Sequence, residues 1–150
     1  MSQFSISPAT WRDAKDLHRL EQICFEKDAW PMLDLIAVLT LPASIRYKAT
    51  IEDRMVGFIA GDQHHRENVG WVTTVGVLPE YRNQGIATAL MLVAEINLQM
   101  PKVRLCVRRT NINAQRLYIR LGYRQIDIWR HYYSGREDAL VFEKDVTPTE

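Results

Sequence analysis

At 150 residues, with a net charge of +1, 47% hydrophobic and 25% charged side chains, the chain has the length of one domain and the balance of a soluble protein with a single core. No apolar run approaches the roughly 20 residues of a membrane span, and the opening MSQFSISPATWRDAKD lacks the basic start and apolar middle of a secretory signal. The only two cysteines, Cys24 and Cys106, and the turn residues His64 and His65 have no metal-ligand spacing, so no metal and a reducing cytoplasm are expected.

In chain order, Phe4 and Ile6 alternate with polar neighbours as a short strand does. Thr10-Trp-Arg-Asp13 reads as a capping box opening a helix whose Ala14, Leu17, Leu20 and Cys24 share one face. Trp30-Pro31 starts a second helix through about Leu41, with Pro31 suited to a first helical position. Ile45, Tyr47, Ala49 and Ile51 alternate with polar residues as a half-buried strand, which Glu52-Asp53-Arg54 turns into a partner from Met55 to about Gln63. Asn68 to Val77 is a strand stopped by Pro79, Gln84 to Gln99 a helix, and Lys102 to Val107 a strand. Asn113 to Leu121 is a helix ended by Gly122, and strands Tyr123 to Tyr133 and Ala139 to Val146 flank the turn Ser134-Gly135-Arg136. The order βααβββαβαββ predicts an α/β domain over residues 1–150 with a polar tail at 147–150. Its sheet is mixed, seven-stranded and mainly antiparallel, with about four helices and one right-handed parallel crossover across residues 69–107.

Charge is unevenly spread. Residues 101–136 hold nine Lys or Arg against one acid, Asp127. Such a run serves as a solvated face, a seat for a polyanionic cofactor or a surface for nucleic acid. Upstream, the stretch YRNQGIA, residues 81–87, places Gly85 at a helix start. A helix start offers about four N–H groups without intrahelical partners and the positive end of the helix dipole, so a phosphate binds there through backbone alone. Gly85 leaves that backbone reachable, Ala87 keeps the first turn narrow, and Arg82 adds a cation. The Gly-x-x-x-x-Gly-Lys-Ser/Thr and Gly-x-Gly-x-x-Gly patterns are both absent.

The spacing Arg82-x-x-Gly85-x-Ala87 resembles the Gln/Arg-x-x-Gly-x-Gly/Ala signature of the GNAT superfamily of N-acetyltransferases, which hold the pyrophosphate of acetyl-coenzyme A in this way. LCVRRTNINAQRLYIRLGY, residues 105–123, resembles the family's next strand, its asparagine-bearing loop and the helix whose tyrosine faces the thioester. HYYSGREDALVF, residues 131–142, is similar to the last hairpin of protein N-terminal acetyltransferases, especially the ribosomal-protein alanine N-acetyltransferase branch. CFEKDAWP, residues 24–31, resembles the loop that this branch places over the incoming peptide.

The resemblance implies transfer of an acetyl group from acetyl-CoA to an amine by direct attack through a tetrahedral intermediate. It assigns the cofactor to Val75, Gly76 and Val77 along the pantetheine arm, to Arg82, Asn83, Gln84, Gly85, Ile86, Ala87 and Thr88 around the pyrophosphate, and to Asn111. An N–H near Val77 would be the oxyanion donor. Tyr118, seven residues after Asn111, matches the general acid that protonates the departing thiolate. Phe25, Trp30, Tyr132 and Tyr133 would wall the acceptor slot. Cys106 stands where the branch often carries Glu or His as a base, which leaves Glu26, in the overhanging loop, as the candidate to take the proton through water. An α-amine has a pKa of about 7.7–8.0 against about 10.4 for lysine, so roughly a tenth of N-termini are neutral near pH 7 and a weak base suffices. The expected acceptor is the N-terminal α-amine of a protein, of ribosomal-protein type. A small amine such as a polyamine or an antibiotic is the alternative, and a CoA-binding module without catalysis a third. The expected protein is a monomer or homodimer, with no membrane partner and no need for nucleic acid.

Overall fold

The computed structural model describes residues 3–25, 32–42 and 44–146. The Thr10 capping box is present: its N–H donates to Asp13 Oδ2 at 2.8 Å and its hydroxyl accepts from the Arg12 N–H at 3.3 Å. It opens a 3-10 turn, Trp11–Asp13, that runs into α1, Ala14–Phe25. Then come α2, Met32–Thr40, and the strands β2, Ser44–Ile51, β3, Arg54–His64, and β4, Val69–Val77, with β1 at Ser5–Pro8. The chain continues with α3, Ile86–Leu98, β5, Lys102–Arg108, α4, Ile112–Arg120, β6, Arg124–Trp129, and β7, Ala139–Asp145.

Among the described residues the sheet has the expected seven strands, in the order β1-β2-β3-β4-β5-β7-β6, and only β4 and β5 pair in parallel. Burial follows the two side-chain periods. On α1 and α2 it is Leu17, Leu20, Leu35 and Leu39 that are buried; on α3 it is Ile86, Leu90, Met91, Ala94 and Leu98. The two helix pairs take opposite faces. A side chain at Gly70 would strike Leu98, which places α3 on that face, whereas one at Gly76 would strike Phe25 of α1. α4 shares the α3 face, because Tyr118 meets Phe142 and Tyr123 with ring centroids 6.4 and 6.0 Å away.

Several boundaries depart from the expectation at left-handed residues. α3 starts at Ile86 rather than Gln84 because Asn83 and Gly85 have φ of 63° and 84°, and it stops before Gln99, at φ 51°. The Glu52-Asp53 turn has φ of 50° and 65° and already delivers Arg54 into β3, the twist that suits a two-residue hairpin. β6 ends at Trp129 instead of Tyr133: His131 has φ 54° and gives its N–H to Asp138 Oδ1 at 3.0 Å instead of to a ladder. Tyr132 and Tyr133 therefore sit in the β6–β7 connection and not on a strand.

Candidate active site

The site begins where β4 leaves β5. The two strands pair only from Val69 with Lys102 to Val72 with Leu105. A register shift against β3 between Ala60 and Gly61 leaves Thr73 as an extra residue in β4, a bulge that bends the strand. Beyond it β4 continues with β3 alone, and Cys106, Val107 and Arg108 continue with β7 alone, so the sheet opens at its centre into a V. The Leu78 N–H donates to the Val56 carbonyl at 2.8 Å. Antiparallel pairing alternates, so Gly76 and Leu78 turn their peptide groups toward β3, and Val75 and Val77 turn theirs into the V. The Val77 carbonyl there accepts from Arg82 Nε at 2.9 Å and from the Cys24 thiol at 3.5 Å. Arg82 thus folds back on the strand end. That leaves the Val77 N–H and the N–H and carbonyl of Val75 without ladder partners along the cleft.

Below the V lies the start of α3. Gly85 is its N-cap in the left-handed conformation, makes no side-chain cap, and has open space where a Cβ would stand. The N–H groups of Ile86, Ala87 and Thr88 in the first turn are therefore bare toward that space and carry the positive end of the α3 dipole. Beside them Gln84 Oε1 is the one buried side-chain oxygen or nitrogen without a hydrogen-bond partner among the described residues. An uncapped helix start, an open cradle at Gly85 and an orphaned amide fit a diphosphate linker with amide-bearing arms. Asn111 caps α4 by accepting the Ala114 N–H at 3.2 Å, which commits its oxygen to the helix.

Tyr118 is buried on the α3 side of the cleft, and burial pushes its phenol up to about 12. Among the described residues nothing hydrogen-bonds its hydroxyl, so at neutral pH it is a proton donor. Burial likewise pushes the Cys106 thiol up to about 11, which makes it neither a base nor a nucleophile near pH 7. Tyr123 is held far above the usual phenol range by burial and by the Glu95 carboxylate that its hydroxyl donates to at 2.8 Å. Lys144 Nζ closes that triad at 2.9 Å from Glu95.

The opposite, α1 side of the V is lined by aromatics. Trp71, Trp129, Tyr132 and Tyr133 form a chain with successive centroid distances of 5.6, 5.3 and 5.0 Å. The Arg104 guanidinium lies 5.9 Å from the Trp71 ring and the Arg108 guanidinium 4.4 Å from Tyr133. Phe25 lies on β4, its Cζ 3.1 Å from where a Cβ of Gly76 would be, so a larger residue there would press on the ring. Arg108 holds Glu137 at 2.8 Å, and Thr110 donates to Glu137 through hydroxyl and N–H, which together lower this carboxyl to about 2.

Glu26 and Trp30 lie outside the described residues. Of the others, the structure gathers Val75, Gly76, Val77, Arg82 and the Asn83–Thr88 turn at one edge of the V, Tyr118 below it, and Phe25, Tyr132 and Tyr133 on its α1 side. Glu21, Thr74, Trp71, Trp129, Arg108 and Glu137 join them without having been singled out in the sequence. Glu21 is legible there: it interrupts the inward-facing stripe of buried Leu17 and Leu20 and half-buried Cys24 with a carboxylate, and is itself 1% exposed. The basic run is largely neutralised by the hairpin that follows it. Lys102, Arg104 and Arg124 reach Glu143, Arg108 reaches Glu137, and Arg109 and Arg130 reach Asp138.

A mixed sheet split at its centre above a bare helix start is the frame of an acyltransferase. The chain belongs to the acetyltransferase (GNAT) family, whose model matches residues 14–123. It is an N-acetyltransferase that draws on acetyl-CoA. An uncharacterised N-acetyltransferase of Methanocaldococcus jannaschii is 32% identical over 137 residues, spanning 87% of this chain and 86% of that protein. The catalytic subunit NAA10 of the N-terminal acetyltransferase A complex of Arabidopsis thaliana is 28% identical over 94% of this chain and 77% of its own length. Among solved structures, the ribosomal-protein-S18-alanine N-acetyltransferase of Escherichia coli superposes with a TM-score of 0.87 at 22% identity, covering 99% of this chain and 97% of that one. No helix among the described residues is long and apolar enough to cross a membrane.

Proposed function

We propose that this enzyme acetylates the N-terminal α-amine of a protein or peptide, of ribosomal-protein type, in the cytoplasm. The observation that carries the reading is the acceptor side of the V. Its aromatic chain suits the side chains of a peptide, while the three acids that lead into and lie on β7 beside it are already engaged. Glu137 is bound by Arg108 and Thr110, Glu143 by Arg104 and Lys102, and Asp138 by Arg109 and Arg130. A polyamine carries several cations and needs several free carboxylates, whereas the three beside the aromatic chain are held by cations. The likeness to NAA10 supports the same acceptor class.

Bound acetyl-CoA supplies the thioester whose acetyl group is transferred. For their part, Gly85 and the N–H groups of Ile86, Ala87 and Thr88 hold phosphate, with Asn83 and Gln84 shaping the turn. Arg82 fixes the end of β4 through the Val77 carbonyl and keeps the rest of its guanidinium for the linker. Asn111 contributes through the start of α4, which carries Tyr118. Val75, Gly76 and Val77 offer an unpaired strand edge to an amide-bearing arm, as in strand addition. The Val77 N–H is the donor to developing negative charge, a role whose loss costs about 2.7–4 kcal/mol in other acyl-transfer enzymes. Tyr118 gives a proton to sulfur. Phe25, Tyr132 and Tyr133 flank the incoming N-terminus.

Thiol release from acetyl-CoA, measured with short peptides differing in their first residue and with spermidine in parallel, tests the reading. Turnover with peptides and none with spermidine is expected. Turnover with spermidine alone would establish the small-amine reading, and cofactor binding without turnover would leave a binding module.

A further inference from the structure

A carboxyl with no cation beside it among the described residues sits at the vertex of the V. Glu21 projects from α1 onto β4, where its Oε1 accepts the Thr74 hydroxyl at 3.1 Å. Thr74 directly follows the bulge residue at which β4 parts from β5. Among the described residues no cation pairs with Glu21, and its second oxygen has no hydrogen-bond partner. Structural carboxylates here look different: Glu95 and Glu143 are equally buried, and each is held by cations. An unpaired carboxylate under a helix is a cost to folding that persists where chemistry uses it. Across the vertex, the β5 position that faces the same side carries Cys106, a protonated thiol.

We propose that Glu21 is the proton acceptor for the amine, in place of a base on β5. The proposal rests on the acyl-transfer reading above. The acceptor ammonium gives one proton to Glu21, and its freed lone pair forms the N–C bond to the acetyl carbon. As the C–S bond breaks, Tyr118 protonates the sulfur and the second nitrogen proton restores Tyr118; Glu21 then returns its proton to water. Ammonium plus thioester thus yield amide, thiol and one proton.

The surroundings set the working range. Burial raises the Glu21 carboxyl to about 7, opposed by the Thr74 hydroxyl, so it is a base at and above neutrality and close to the α-amine's own range of about 7.7–8.0. Among the described residues, the other groups facing this corner are the Cys24 thiol on the same helix, with Arg82 and Glu80 acting on that thiol, and Cys106 from β5.

The test is a set of pH–rate profiles for the wild type, Glu21→Gln and Thr74→Val with the best peptide. Expected for Glu21→Gln is a tenfold or larger loss of kcat at pH 7 that closes to within threefold at pH 9.5, where the amine is neutral unaided, with an unchanged Kd for CoA by calorimetry. Thr74→Val, which removes the bond that favours the ionised carboxyl, should move the acid limb of the profile to higher pH. Infrared difference spectra without any acceptor should show a carboxyl band titrating near pH 7 in the wild type and missing in Glu21→Gln. A deficit equal at all pH values, an undiminished kcat or a missing band would each overturn the proposal. If the wild type acetylates only spermidine, the peptide reading fails while the same profiles, run with spermidine, still judge Glu21. A wild type silent with every amine ends both.

Discussion

Gly85 and Gly135 form a matched pair for testing the phosphate cradle. Their φ angles are 84° and 80°, and a Cβ at either would meet nothing within 4 Å. An L-residue in the left-handed region costs about 1–2 kcal/mol, so Gly85→Ala and Gly135→Ala should each lose that much stability, lowering Tm by roughly 2–8 °C in a chain of this size. The strain is the same, but the new methyl group meets different surroundings. At Gly85 it enters the space in front of the Ile86, Ala87 and Thr88 amides. A lost hydrogen bond to a charged group is worth about 1.5–3 kcal/mol, which is roughly a 10- to 150-fold rise in Kd for CoA. At Gly135, in the turn before β7, Kd should stay within twofold. Scanning calorimetry supplies the two Tm values and titration calorimetry the two constants. Equal Kd values for both variants, with equal losses in Tm, would refute a phosphate seat at the start of α3.

Tyr118→Phe should lower kcat tenfold or more with Kd for CoA unchanged, because a buried phenol held near 12 stays protonated at working pH; unchanged turnover would remove it from the mechanism. Cys106→Ala should keep kcat within threefold of the wild type, and mass spectrometry of enzyme incubated with acetyl-CoA alone should find no acetyl-cysteine there, since its thiol is held near 11. Stability should separate Glu21→Gln from the wild type only at higher pH. A carboxyl near 4.5 when unfolded and about 7 when folded favours the fold fully below 4.5 and loses that advantage as pH rises to 7, a difference of roughly 3 kcal/mol. The variant should therefore be the more stable protein at pH 8 by denaturant titration, and parallel stability curves for the two would contradict the burial of an unpaired charge. Glu137 runs the other way. Held at about 2 by Thr110 and Arg108, it steadies the acceptor hairpin above the ordinary carboxyl range and fails only as pH falls toward 2. Glu137→Gln should raise KM for peptide at pH 7 and leave Kd for CoA alone, and an unchanged KM would detach the hairpin from acceptor binding.

What could be read from residue types was what depends on neighbours along the chain. Alternation at Ile45 to Ile51, the Thr10 cap and the glycine at 85 each announce a local geometry, and the element order followed. The opening of the sheet has no such marker. It arises because Thr73 is one residue too many opposite Ala60 and Gly61, a mismatch between two strands that neither carries alone. The aromatic chain is hidden for the same reason. Trp71 and Trp129 come within 5.6 Å only after β5 and β7 are inserted between their strands. The basic run left its role open because a charge run cannot be read apart from its partners. Its neutralising acids, Glu137, Asp138 and Glu143, come directly afterwards and fold back across β5.

Cys106 illustrates how chemistry and scaffold separate. The fold requires of that position only a side chain that fits the face of β5 beside Val141, and a thiol fits there as readily as a carboxylate does. The demand for a proton acceptor is a demand on the cleft, not on one strand. Any element that reaches the vertex can meet it. α1 does so at the one point of its buried stripe where a leucine would have packed more favourably, and a carboxylate stands there instead.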